Sequence, residues 1–153
     1  MTDRAPSIET RDPFTGDGVA SVRASTAREV SQVVARAREA QVTWGALPVA
    51  ERLHRLDRWR GVLFRDRHAF AELVRRETGK PEAEVLAAEV ATGLDLIRYY
   101  VRHTTEMLQP RTRRSATLAL VRKRLTSTFE PWGTVGVISP WNYPFMLPVG
   151  QLT

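Results

Sequence analysis

Few residues in this chain are equipped for chemistry, and one of them stands apart. Asn142 lies in Pro140-Trp-Asn-Tyr-Pro144, between the apolar run Thr134-Val-Gly-Val-Ile-Ser139 and a second apolar segment. The run is uncharged, rich in β-branched residues and punctuated by Gly133 and Pro140. That pattern predicts a strand buried on both faces, as in a parallel sheet. Pro144 suits the opening of a helix, where its missing N–H needs no partner. The loop 140–144 is therefore expected at the carboxyl end of a parallel strand, leading into a helix, which is where open α/β sheets bind ligands. On residue type alone, Asn142 reads as a turn asparagine bonded within its own loop, and Trp141 and Tyr143 read as packing residues.

The other candidates are weaker. The chain has no cysteine, which excludes disulfides, Cys-ligated metal and a thiol nucleophile within it. His54, His68 and His103 are far apart and fall in helical patterns, so none is expected to ligate a metal. Glu82 and Glu84 are two residues apart and face different sides of a helix. Gly16 and Gly18 lie between two hairpin strands with no helix following, which makes a turn and not a phosphate loop.

Hydrophobic residues make up 42% of the 153 and charged residues 26%, an ordinary globular balance. The formal net charge is +6, most visible at Arg111–Arg114 and Arg122-Lys-Arg124. These clusters are expected to be solvated faces and not a nucleic-acid site. No apolar leader opens the sequence and no run is long enough to span a bilayer, so a soluble cytoplasmic protein is expected.

The elements that must position Asn142 follow in order. Residues 8–24 alternate on either side of Asp12-Pro-Phe-Thr-Gly16, predicting a β-hairpin. Helices are expected over 26–108. Thr26-Ala-Arg-Glu29 is a capping box, followed by Val30, Val33, Val34, Ala37, Ala40 and Trp44 at helical spacing. A second helix carries Val49, Leu53, Leu56, Trp59, Leu63 and Phe64, and a third, with Phe70, Leu73 and Val74 inward, stops at Gly79. Glu77-Thr-Gly-Lys-Pro81 is explained by a helix stop and restart and receives no chemical role. The fourth helix shows two adjacent apolar stripes, Val85, Ala88, Leu96, Tyr99 and Leu86, Val90, Leu94, Ile97, Val101. Residues 109–116 read as a polar connection, 117–130 as an extended strand with interleaved charges, 134–139 as the buried strand and 140–153 as the loop and helix start.

Glu130-Pro-Trp-Gly-Thr-Val-Gly-Val-Ile-Ser-Pro-Trp-Asn-Tyr-Pro144 resembles the signature segment of the NAD(P)-dependent aldehyde dehydrogenase superfamily, with Thr134 where Val is more usual. Asp12-Pro-Phe-Thr-Gly16 and Glu77-Thr-Gly-Lys-Pro81 are similar to further segments of that family. The resemblance covers residues 1–153 as a partial domain, matching only the amino-terminal portion of the family. It implies an α/β fold: a hairpin, four helices, an oligomerisation-type strand and the first parallel strand of the cofactor domain. It also implies that the intact protein oxidises an aldehyde to a carboxylic acid with NAD or NADP, with no metal. Asn142 then donates its amide N–H to the oxyanion formed when a cysteine thiolate attacks the aldehyde, and Ile138, Ser139, Pro140 and Trp141 line the nicotinamide side of the cofactor site. The family's cysteine and its water-activating glutamate lie beyond the part matched here. This chain alone is therefore expected to be inactive, as a truncated reading frame, a split subunit or a fragment, and to associate with copies of itself or with the missing carboxyl-terminal portion. The alternative is a non-catalytic helical binding or regulatory module that uses the basic strand 111–130.

An apolar strand without encoded neighbours invites edge-to-edge pairing. The isolated chain is expected to self-associate through residues 117–139; elution as a monodisperse monomer in size-exclusion chromatography with light scattering would contradict this.

Overall fold

The computed structural model describes residues 6–114 and 123–153. β1 (Ser7–Arg11) and β2 (Gly18–Arg23) pair antiparallel, with Ile8 opposite Val22 and Thr10 opposite Ala20. Asp12 sets the turn between them. Its carboxylate accepts from the N–H groups of Phe14 (2.8 Å) and Thr15 (3.2 Å), and Gly16 takes a φ of 77° that other residues resist. The hairpin meets the first helix through the Arg23–Glu29 ion pair and, separately, the end of the third. The Thr10 hydroxyl donates to Glu77 at 3.0 Å, and the ring of Phe14 covers Gly79 so closely that an added Cβ would lie 2.5 Å from it.

Helix α1 (Ala27–Ala46) begins at the capping box, where the Thr26 hydroxyl accepts from the Glu29 N–H and the Glu29 carboxylate accepts from the Thr26 N–H at 2.8 Å. Its apolar residues have the expected spacing, yet none is buried. Helices α2 (Val49–Arg65) and α3 (Arg67–Thr78) follow. Gly79, at φ 73°, closes α3 as a left-handed cap whose N–H returns to Arg75.

The long helix α4 spans 82–107 in three stretches: regular turns at Glu82–Glu84 and Thr92–Met107, and a π-helical stretch at Val85–Ala91 between them. In π geometry residues five apart share a face. Val85 and Val90 therefore both reach the core, with Glu89 beside them. Leu63, Ala71, Val74, Val85, Val90 and Ile97 form that core, which Phe145 and Val149 complete from the carboxyl-terminal side. Val149 belongs to α5 (Met146–Leu152), whose Gly150 rests against Leu96.

Two expectations for the strands are corrected. Arg111–Arg114, expected as a connection, forms β3, paired antiparallel with β4 (Arg124–Ser127). Of the strand expected over 117–130, only β4 is one among the described residues; 117–122 lie outside them. The ribbon is exposed on both faces, so its arginines stay hydrated and do not oppose extended backbone. Residues 134–139 are not a buried strand: they belong to no sheet and lie at the surface, with Val135 67% exposed. Apolar, β-branched composition favours a strand only where a neighbour takes its backbone hydrogen bonds, and none of the described strands lies alongside.

The Glu29 carboxyl is lowered from 4.5 to about 2, chiefly by the hydrogen bond from Arg23, then by the Thr26 N–H and hydroxyl. A carboxyl more acidic in the folded state contributes stability that is complete above its unfolded pKa and is lost as the pH falls through the folded value. Stability should therefore decline between about pH 4.5 and 2, with Glu29→Gln removing part of that slope in an acid titration followed by far-UV circular dichroism.

Candidate functional site

The residues around Asn142 are held by side chains from the end of α3 and the middle of α4. The Gly79 cap turns the chain so that Lys80 crosses toward the loop. Its Nζ donates to Glu89 Oε1 at 2.7 Å and to the main-chain carbonyl of Asn142 at 2.7 Å. The same ammonium lies 3.9 Å from the centre of the Tyr143 ring, within cation–π range. Glu89 is fully buried in the π-helical stretch, and its second oxygen, Oε2, accepts the Phe145 N–H at 2.9 Å. Both carboxylate oxygens and the ammonium are thus matched in a setting where an unmatched charge is costly.

Phe145 is the apolar anchor of the loop. Its ring packs 5.1 Å from that of Phe70, centre to centre. It also lies against Gly93, where an added Cβ would come within 3.2 Å of the ring. One residue on, the chain enters α5, so its start is fixed by Phe145 and not by Pro144. Pro144 instead occupies a preceding turn, across which the Leu147 N–H reaches the Tyr143 carbonyl at 3.2 Å.

The site residues inferred from sequence are all exposed. Ile138 is 97% exposed and Trp141 82% exposed, and Ser139, Pro140 and Asn142 are exposed as well. The Asn142 side chain makes no hydrogen bond among the described residues; only its carbonyl is held. No paired strand leads into the loop. The geometry thus presents the amide outward without supplying the buried strand expected ahead of it.

Lys80 and Glu89 are the site residues that sequence reasoning missed. A signal existed for Glu89: it is the lone acid between Ala88 and Val90 on the apolar side of a helix. Lys80 stands in a family-like segment, Glu77-Thr-Gly-Lys-Pro81, but a helix stop and restart already accounts for those residues, so it receives no role there. A separate cavity of about 150 Å³ lies near the end of α4, lined by Trp44, Arg52, Leu53, Leu108, Leu152 and Thr153, with the Arg52 Nε buried and without a partner. It does not reach the loop. Among the described residues no helix is long and apolar enough to cross a membrane.

A helical layer with a docked hairpin, a separate two-stranded ribbon and the Pro140–Pro144 loop is the architecture of the amino-terminal part of one oxidoreductase family. The chain belongs to the aldehyde dehydrogenase family, which it matches over residues 1–153. It is 38% identical over 125 residues to a 4,4'-diapolycopene aldehyde oxidase of Methylomonas sp, covering 80% of this chain and 23% of that one. Its fold matches the NADP complex of an NADP-dependent glyceraldehyde-3-phosphate dehydrogenase from Bacillus halodurans C-125. There the TM-score is 0.82 and the identity 28%, over 94% of this chain and 30% of that one. An NADP-dependent enzyme of E. coli matches with a TM-score of 0.80 and 26% identity, over 94% and 29%. The chain spans from 23% to 28% of the length of the curated relatives it matches. Membership over all 153 residues leaves the separate helical binding module without support.

Truncating Phe145 removes the ring that fills the space between Phe70 and Gly93. Phe145→Ala should cost about 3–5 kcal/mol in urea unfolding, and a loss under about 1 kcal/mol would show that the ring is not an anchor.

Proposed function

We propose that this chain forms the amino-terminal part of an NAD(P)-dependent aldehyde dehydrogenase, a cytoplasmic enzyme that oxidises an aldehyde to a carboxylic acid. The observation that carries this reading is the family match over residues 1–153, which include the segment around Asn142. In it the Asn142 amide donates a directed, uncharged hydrogen bond to the oxyanion that forms when a cysteine thiolate attacks the aldehyde carbon. Such a donor favours the transition state because charge develops on that oxygen only as the reaction proceeds.

Ile138 and Trp141 present an uncharged surface of a kind that suits one face of a nicotinamide ring. In this reading Ile138, Ser139, Pro140 and Trp141 line that side of the cofactor site. NAD(P), when bound, accepts the hydride that leaves the substrate carbon. The 153 residues contain no cysteine, so by themselves they leave Asn142 without a covalent adduct to stabilise. The enzyme works as an assembly in which the exposed ribbon β3–β4 takes part in contacts between copies.

The test joins these residues, in one polypeptide, to the part of the family domain they do not span. Asn142→Ala should lower kcat about 10²–10³-fold with little change in KM, while the 153 residues alone produce no NAD(P)H from any aldehyde. An unchanged kcat in the Asn142→Ala variant would remove the oxyanion role.

A further inference from the structure

We propose that Lys80 and Glu89 are positioning residues for the loop, a buried ion pair that fixes the backbone on both sides of Tyr143 and so sets the direction in which the Asn142 side chain leaves it. Its functional meaning rests on the role proposed for Asn142; its geometry and its test do not.

Three observations carry it. First, the pair is spent on the loop. Lys80 holds the carbonyl of Asn142, 62 residues away in sequence, and Glu89 holds the N–H of Phe145, 56 residues away. The two held groups bracket Tyr143 and Pro144. Second, the partners are used up. Each oxygen of Glu89 has its own donor, and the three N–H bonds of Lys80 have a carboxylate, a carbonyl and the Tyr143 ring face within reach. Both Glu89 oxygens and the Lys80 ammonium are thus engaged within the protein, most of them by groups of the loop itself. Third, a buried ion pair is a poor device for stability alone, since apolar residues of similar volume often serve as well or better. With the Glu89 side chain fully buried and that of Lys80 17% exposed, the arrangement makes sense as a means of imposing one backbone geometry. Charge-assisted bonds to specified atoms impose direction in a way that apolar contacts do not. The Asn142 side chain has no bond of its own among the described residues, so the direction in which its Cα–Cβ bond leaves the chain is set by the backbone that these two residues hold.

The experiment is NMR of these residues joined, in one polypeptide, to the part of the family domain they do not span, with three variants. Lys80→Met keeps the length of the side chain and removes its donors. Glu89→Gln keeps the shape and removes the charge. Lys80→Arg restores a cation with donors. Two resonances report directly: the carbonyl carbon of Asn142, whose shift follows the bond it accepts, and the Phe145 amide proton, whose exchange follows the bond it donates. In Lys80→Met the Asn142 carbonyl should shift toward the value of an unbonded peptide and the Asn142 backbone amide should become more mobile. In Glu89→Gln the Phe145 amide should exchange roughly tenfold to hundredfold faster. In both, the methyl signals of Val85 and Ile97 should keep their positions, and Lys80→Arg should recover much of the loop order. Unchanged Asn142 mobility in both Lys80→Met and Glu89→Gln would overturn the proposal. If either of these variants also loses the core signals, the pair is a stability element and the positioning role is likewise refuted. Because these readouts measure order and not turnover, they can fail while Asn142→Ala still slows the joined polypeptide, and the reverse.

Discussion

A carboxylate sealed away from water must find a partner for each oxygen, and the arrangement of this chain around its loop follows from meeting that demand at Glu89. One oxygen takes the Lys80 ammonium and the other the Phe145 N–H. To deliver the first, α3 must end where the left-handed cap at Gly79 ends it. To deliver the second, Phe145 must descend between Phe70 and Gly93. The π-helical widening of α4 brings the acid to the inner face alongside Val85 and Val90. An irregular helix, a glycine cap and a small residue at a close approach thus serve one local requirement.

What was legible in the sequence was whatever is decided by neighbours within a few residues. The capping box at Thr26 and Glu29, the turn built on Asp12 and the stop at Gly79 are short-range chemistry, and each occurs where its residues stand. The interior of α4 shows the limit. Periodicity of 3.6 divides Val85 and Val90 between two stripes, whereas the π-helical stretch buries both. The loop was visible through its motif, but the pair that holds it was not, because contacts separated by 56 and 62 residues leave no local pattern. Residues 134–139 fail for the opposite reason: their composition is that of an interior strand, and a strand exists only in company.

The surfaces fall into two kinds. The ribbon β3–β4 is mostly basic and polar, with Leu125 its one large exposed apolar side chain. The apolar residues of α1 and the segment from Trp132 to Trp141 are different. Val30, Val33, Val42, Trp132 and Ile138 are all at least half exposed, which leaves apolar side chains in water in both segments. This chain spans about a quarter of the length of its curated relatives.

The clamp also bears on cooperativity. Two hydrogen bonds close rings of roughly sixty residues, a closure whose entropic cost rises only slowly with ring size, but every helix inside those rings must be in place for the bonds to meet. The loop therefore depends on the bundle for its shape, although the bundle does not depend on the loop's two bonds in the same way. Whatever loosens α3 or α4 loosens the presentation of Asn142 with it.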